Sequence, residues 1–398
     1  MKISERAKHI KASATLSISK KAKAMIRNGI DVINFGVGEP DFCTPQYIKN
    51  AGIKAINDNY TRYTESAGIP ELRQAIADKL KRENNLNYEK ENILVSSGAK
   101  HSILNILLTI CDYQDEVIIP MPYWVSYTAQ IEMVNAKPVI LPTNENNNFE
   151  ISPEQLDKTI TSKTTALIIN SPNNPTGTVY TQQRLEDIAE VAKKHKIYVI
   201  SDEIYERLVY DDVKHFSIAC CDGMEDLAIV INGVSKAFAM TGWRIGYAAA
   251  PMEIIKKAIQ FQSHSTSCAN SIAQKAAEIA LSKEDNSVEK MRVEFEKRRN
   301  YLIKALNNIP NVYCNMTKGA FYAMPNISYY LKLNSKIKNS VDLCSYLLDK
   351  YKVALVPGIA FGVDNYVRFS YANSMENIKK GVERFADGLA NLHKSKII

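Results

Sequence analysis

One lysine stands apart from the other basic residues of the chain. Lys236, in the stretch GVSKAFAMTGWRIG (233–246), is flanked by Gly233, Val234, Ser235, Ala237, Phe238, Ala239 and Met240. An amine withdrawn from water by such neighbours loses proton affinity and becomes a better nucleophile. Three other segments carry reactive residue types just past an apolar run. Asp202-Glu203-Ile204-Tyr205 follows KIYVIS, Asn173-Asn174-Pro175-Thr176-Gly177 follows TALIINSP, and Gly98-Ala99-Lys100 follows ILVSS. Each also has a plainer reading. Asp202 would serve as a cap of the next turn, the asparagines would brace a Pro-Gly turn, and Gly98 would do no more than turn the chain.

The apolar runs are the elements that must position these residues. NILVSS (92–97), DEVIIP (115–120), KPVILP (137–142), TALIINSP (165–172), KIYVISD (196–202), LAIVING (227–233) and RIGYAAAP (244–251) have the length and β-branched content of buried strands. Helical patterns such as HSILNILLTIC and RLEDIAEVAKKH separate several of them. This alternation predicts an α/β fold: a large domain with a mostly parallel seven-stranded sheet covered by helices. From about 285 the pattern changes to a long charged helix, EKMRVEFEKRRNYLIKALNNI, followed by GAFYAMP, VDLCSYLLDKY, VALVPG and YVRFSYA. That reads as a smaller α+β domain, joined by an N-terminal helix and the apolar segment DVINFGVGEP. The expected division is 1–45 (part of the small domain), 46–290 (large domain) and 291–398 (small domain). The polar NENNN at 144–148 reads as a loop.

Ligands of open α/β sheets bind beyond the carboxyl ends of the strands. One reagent would use all four segments there. A phosphorylated pyridine aldehyde needs a lysine for a Schiff base, a carboxylate for its ring nitrogen, donors for its phenolic oxygen, and a cradle with an arginine for its phosphate. Lys236 meets the first need, Asp202 the second, and Tyr205 with Asn174 the third. Gly98, Ala99, Ser235 and Arg244 meet the fourth, with a helix N-terminus favouring the anion.

GVSKAFAMTGWRIG resembles the pyridoxal-phosphate attachment pattern of class I aminotransferases, and the resemblance runs along nearly the whole chain. GVGEPDF (36–42), YTESAGIPELR (63–73), SGAK (97–100), PYWVSY (122–127), SPNNPTG (171–177), SDEIY (201–205), GAFY (319–322) and VRFSYA (367–372) occur in the family's order. The chain is similar to the aspartate and aspartate–prephenate branch of these fold type I enzymes. The resemblance implies a Schiff base on Lys236, Asp202 at the ring nitrogen, Tyr205 and Asn174 at the phenolic oxygen, and Trp124 stacked on the ring. It implies Arg368, with Gly38 and Asn174, as the bidentate site of the substrate α-carboxylate. Lys100, itself in the SGAK cradle, and Thr15 would hold the second carboxylate of a dicarboxylic substrate. Tyr63 would reach the phosphate of a neighbouring subunit in a homodimer. Plainer readings remain for two of these: a strand-end ion pair for Arg368 and a solvated lysine for Lys100. One departure stands out, because Gly233 occupies a position where some relatives have a phosphate-binding serine.

The implied activity moves the amino group of L-aspartate to 2-oxoglutarate by ping-pong exchange. The alternatives are a transaminase with other or broader specificity (prephenate, aromatic or alanine) and a carbon–sulfur lyase, which would share Lys236, Asp202, Tyr205 and Arg244. A regulator would need a DNA-binding module, for which the chain has no spare length.

Composition fits an enzyme of small molecules. In 398 residues, 50 basic and 43 acidic side chains give +7 without a run of like charge, which argues against a nucleic-acid arm. The seven cysteines are odd in number and form no CxxC pair, so reduced thiols and no metal are expected. No apolar run approaches membrane-spanning length, and MKISERAKHIKASATLSISKKAK lacks a signal-type apolar core, so cytoplasm is the expected compartment.

Overall fold

The computed structural model describes residues 2–4, 14–283, 285–333 and 337–394. Its strands are β1 (Ile33–Asn34), β2 (Ile93–Ser96), β3 (Glu116–Met121), β4 (Lys137–Pro142), β5 (Thr164–Asn170), β6 (Tyr198–Asp202), β7 (Ala228–Gly233), β8 (Gly246–Ala249), β9 (Tyr322–Ala323), β10 (Val353–Ala354), β11 (Val356–Pro357) and β12 (Val367–Ser370). The seven apolar runs become β2 to β8 and share one sheet in the order β2-β8-β7-β6-β5-β3-β4. All run parallel except β8, which is antiparallel to both β2 and β7.

Strand residues alternate between the two faces, and both faces are apolar because helices cover both. Ile168, Ile200, Ile229 and Ile231 pack with Ile103, Ile106 and Leu107 of helix Ala99–Ile110 and with Ile255 and Ala258 of helix Met252–Ser265. The alternate residues Leu167, Ile169 and Val199 pack with Leu185, Ile188 and Ala192 of helix Gln182–His195. Each buried isoleucine contributes roughly 1.5–3 kcal/mol relative to exposure.

The shorter strands serve the other part of the molecule. β1 pairs parallel with β10, and β11-β12-β9 form an antiparallel sheet. Their core holds Phe35, Phe295, Phe321, Phe369 and Phe385, and it also takes in Tyr205, Leu208 and Tyr210 from the loop after β6. Helices Ser287–Asn307 and Met375–Lys394 flank it. The first is the long charged helix read from the sequence, and Arg298 and Arg299 on it are buried. VDLCSYLLDKY becomes helix Ser340–Tyr346 with a wider turn at Leu347–Tyr351, and NENNN holds a short turn capped by Asn144. Among the described residues no helix is long and apolar enough to cross a membrane.

Candidate active site

Parallel register sets Asn170 beside Asp202, and Asp202 beside Ile231. By alternation Asn170 and Asp202 continue the face formed by Ile168 and Ile200, but at the strand ends, where the helices no longer cover them. They open into a cleft of about 370 Å³. The sheet side contributes Asn170, Asn174, Asp202, Tyr205, Ser235 and Lys236, with Ala99 and Lys100 from one helix start, Tyr127 from the start of helix Ser126–Met133, and Trp124 and Arg244 from adjoining loops and turns. The opposite wall is Gly36, Gly38, Tyr322, Phe361 and Arg368.

Asp202 is buried and accepts the Tyr127 hydroxyl at Oδ2 (2.6 Å) and the Ile204 N–H at Oδ1 (3.3 Å). It therefore braces its own turn and presents a carboxylate to the cleft. Burial raises its pKa to about 6, although the Tyr127 hydrogen bond opposes the shift. Lys236 Nζ donates to the Gly38 carbonyl at 2.6 Å. Burial lowers its pKa to about 8; Glu39 opposes this, while Arg244 and Arg368 reinforce it. The amine is thus partly neutral near pH 8, as nucleophilic and base chemistry require.

Arg244 holds its backbone at φ 57°, a left-handed conformation that is unfavourable for a residue with a Cβ. Its guanidinium donates to the Thr241 carbonyl (3.1 Å) and the Ser97 carbonyl (3.2 Å). Gly98 lies directly beneath at φ +87°, where a Cβ would sit 2.4 Å from Arg244 Nη2. This glycine both makes the turn and admits the arginine, leaving Ala99 and Lys100 in the cleft wall. Ser235 is buried in the same wall.

Gly233 has a packing cause. It pairs with Gly246 across β7 and β8, and a Cβ on it would lie 2.8 Å from Gly246 Cα and 2.9 Å from the Ile245 carbonyl oxygen. The position is a contact between strands with no room for a serine.

The two asparagines divide the two readings of their turn. Asn173 braces it, accepting the Thr176 N–H (3.1 Å) and hydroxyl (2.9 Å). Asn174 faces the cleft and accepts Arg368 Nη1 at 2.8 Å. Arg368, on β12, is 6% exposed, and its Nη2 donates to the Gly36 carbonyl at 3.1 Å. Its guanidinium lies 4.4 Å from the Tyr322 ring centre and 5.1 Å from that of Phe361. Its buried Nε has no partner, and among the described residues no carboxylate pairs with it. The strand-end ion pair is not formed. Burial lowers the pKa of this guanidinium, and a buried cation without an anion is costly unless a ligand supplies one.

Tyr205 and Tyr322 place their hydroxyls 2.9 Å apart. Two hydroxyls carry two protons, so one bond between them leaves one O–H seeking an acceptor. Burial raises the Tyr205 pKa and keeps it a donor. Lys100 is exposed in part, with Nζ 4.8 Å from the Trp124 ring centre. Burial and Arg244 lower its pKa, which a freely solvated lysine would not show. Trp124 meets Tyr127 edge to face, 5.3 Å between ring centres.

Two expected residues, Tyr63 and Thr15, stand apart from the description of this cleft. Tyr63 is 89% exposed and does not line the cleft. Thr15 falls in helix Ala14–Arg27, but its side chain lies outside what the structure describes. Tyr127, Asn170, Thr241, Tyr322, Phe361 and Gly36 join the cleft without having been singled out from sequence. Asn170 ends a strand and was open to the strand-end rule; Tyr127 and Tyr322 needed the partners that only folding supplies.

Residues 30–385 match the family model "aminotransferase class I and II", and the chain belongs to this family of pyridoxal-phosphate-dependent aminotransferases. It is 45% identical over 385 residues to the aspartate aminotransferase of Bacillus subtilis (strain 168), covering 96% of this chain and 98% of that one. It is 46% identical over 398 residues to the bifunctional aspartate aminotransferase and glutamate/aspartate-prephenate aminotransferase of Petunia hybrida, covering 98% and 83%. Among solved structures, the aspartate aminotransferase of Rhizobium meliloti superposes with a TM-score of 0.94 at 38% identity, covering 98% of this chain and 99% of that one. That of Thermus thermophilus with maleate gives 0.93 at 39%, covering 98% and 100%. The fold is that of the type I pyridoxal-phosphate transferases.

The donor set of the cleft suits this cofactor. It holds an amine of low proton affinity, a buried carboxylate, an O–H in need of an acceptor, and an arginine beside a helix N-terminus.

Proposed function

We propose that the chain transfers the amino group of L-aspartate to 2-oxoglutarate, using pyridoxal 5′-phosphate held by Lys236, Asp202, Tyr205, Asn174, Trp124, Ser235, Arg244 and the turn Gly98-Ala99-Lys100. When bound, the cofactor supplies a ring that accepts the electrons left on the substrate Cα as its proton departs. The protein's own residues do the rest. Lys236 Nζ, neutral in part near pH 8, takes the proton from Cα and later delivers one. Asp202, buried beside Tyr127, would hold the ring nitrogen and favour its protonated form. Arg368 binds the substrate α-carboxylate with Asn174 and Gly38 beside it, which fixes Cα against Lys236.

The observation that carries the substrate is a pair of cations in the cleft besides Lys236 and Arg244. Arg368 and Lys100 both line it, and among the described residues neither has a carboxylate partner. A dicarboxylate answers both, with Thr15 as a further donor. Maleate, a dicarboxylate named with the Thermus thermophilus relative, has this form. Prephenate also carries two carboxylates, and the Petunia hybrida relative is named for it; it is the second reading for the same two cations.

We further propose a homodimer in which Tyr63 reaches the phosphate of the neighbouring copy; the exposure of Tyr63, Ile53 and Ile56 supports it. The division at 45 and near 290 remains our reading, supported by the separate core around β9 to β12, although helix Ser287–Asn307 crosses the second boundary. The seven unpaired thiols support a cytoplasmic location.

The test uses loaded enzyme and one amino acid at a time, following loss of the aldehyde's absorbance. Conversion with aspartate and glutamate should far outpace that with alanine or phenylalanine, and Lys100→Ala should narrow the gap. Lys236→Ala should abolish turnover, by roughly 10⁴-fold or more. Faster conversion of monocarboxylic donors, or release of pyruvate and ammonia from cystathionine, would sink the assignment.

A further inference from the structure

Tyr322, the last residue of GAFY and the first of β9, touches both walls of the cleft. It is completely buried. Its hydroxyl lies 2.9 Å from that of Tyr205 on the sheet side, and among the described residues Tyr205 is its one hydrogen-bond partner. Its ring face carries the Arg368 guanidinium at 4.4 Å. Residue 38 closes over it: a Cβ on Gly38 would come within 3.3 Å of the Tyr322 hydroxyl. The side chain therefore has little freedom to find other partners.

A phenol donates one proton and accepts through its lone pairs. If Tyr205 donates to Tyr322, its proton is spent, and the Tyr322 proton faces no acceptor among the described residues. If Tyr322 donates, the Tyr205 proton is free for an acceptor in the cleft. An acceptor arriving beside Tyr205 selects the second arrangement, and a hydroxyl that accepts a hydrogen bond is in turn a stronger donor. The ring acts separately. A guanidinium over an aromatic face is attracted by the ring's electron density, which partly offsets the burial of Arg368 without a carboxylate.

We propose that Tyr322 is a positioning residue with two separable tasks: its hydroxyl aims the Tyr205 proton into the cleft toward the cofactor's phenolic oxygen, and its ring holds Arg368 ready for the substrate carboxylate. This rests on the roles given above to Tyr205 and Arg368.

Tyr322→Phe removes the first task and keeps the ring; Tyr322→Leu removes both, with Tyr322→Met in its place if that variant does not fold. All are studied loaded with cofactor, beside Tyr205→Phe and Arg368→Lys. Tyr322→Phe should move the pH midpoint of the visible absorbance change upward by about half a unit, in the same direction as Tyr205→Phe. Its kcat should fall roughly threefold to tenfold, with KM for aspartate changed less than about twofold. Tyr322→Leu should show the same midpoint and a KM higher by about threefold to thirtyfold. A wild-type midpoint and kcat in Tyr322→Phe would overturn the hydroxyl task. A KM in Tyr322→Leu no higher than in Tyr322→Phe would overturn the ring task. If Tyr205→Phe and Arg368→Lys themselves leave midpoint and KM unmoved, the roles of those two residues fail instead.

Discussion

Two buried arginines in this chain have opposite surroundings. Arg299, 1% exposed on helix Ser287–Asn307, grips Asp211 with two hydrogen bonds of 2.8 and 2.6 Å. It also donates to the Thr317 carbonyl and to Asn300, and it lies 4.9 Å from the Tyr210 ring centre. Among the described residues, Arg368 has the rings of Tyr322 and Phe361 and two neutral oxygens, and its Nε has no partner. Both guanidiniums are costly to take out of water. For Arg299 the chain supplies the compensating anion, and the result is a closed structural node. For Arg368 no described residue does, which leaves the compensation to a ligand. A buried charge left incomplete in a cleft marks a binding site more clearly than its residue type does.

The comparison predicts that the two positions fail differently. Arg368→Leu should lower kcat/KM for aspartate by about 10² to 10³-fold, the range for deleting one partner of a buried charge pair, while the melting temperature of the cofactor-free protein holds or rises. Among the described residues, Arg299→Leu should leave Asp211 with only the exposed Lys318 as a cationic partner and lose about 3–5 kcal/mol of stability, with near-normal kcat in the molecules that fold. Calorimetry of both variants, read beside their kinetics, decides. Equal losses of stability would mean that Arg368 is as structural as Arg299.

The contrast also explains what could be read before folding. Every strand of the large sheet was legible, because runs such as TALIIN and KIYVIS bury both faces and carry a period-independent apolar signal. Lys236, Asp202, Asn174 and Arg368 were legible because they end strands or lie in motifs quoted above, and the fold brings them to one cleft. Arg299 was not, since a charged residue on a long charged helix gives no hint that Asp211, 88 positions away, will bury it. Tyr127 and Tyr322 stood in the quoted motifs PYWVSY and GAFY, but their roles were not legible for the same reason: their partners Asp202 and Tyr205 lie 75 and 117 positions distant.

The same difference recurs between two adjacent carboxylates. Glu203 is completely buried and receives the Ser201 hydroxyl (2.8 Å), the Ser217 hydroxyl (2.6 Å) and His215 Nε2 (3.0 Å). Asp202 has one hydroxyl and one long backbone bond. Its native pKa, about 6, lies above the ordinary 3.8. The native state therefore binds the proton more tightly than the unfolded chain. The resulting stabilisation is full below about 3.8 and is lost as pH rises through about 6, beyond which the buried anion is a burden. Asp202→Asn cannot ionise. Its cofactor-free form should be more stable than the wild type above pH 6, by roughly 2–3 kcal/mol, with no advantage below about pH 4. Turnover with cofactor should still collapse. Denaturant titrations at pH 4 and pH 7.5 check the sign, and a variant no more stable at pH 7.5 would show that Asp202 is as fully compensated as Glu203.

The smallest predicted effect concerns a part of the cleft wall that is already complete. Gly233 stands where a serine would add a hydroxyl toward the phosphate, yet its missing Cβ is the space taken by Gly246 Cα and the Ile245 carbonyl oxygen. Gly246 in turn has no Cβ because Ala99 N would lie 2.0 Å from it. The two glycines thus let β7, β8 and the Gly98-Ala99 turn stack, and that stacking brings Arg244 onto Gly98. Gly233→Ser should force β7 and β8 apart and lose about 1–2 kcal/mol, as overpacked positions do, and should weaken cofactor retention through Arg244. If the serine variant instead held the cofactor more tightly at unchanged stability, Gly233 would be a missing ligand after all, and this wall of the cleft would be as incomplete as the surroundings of Arg368.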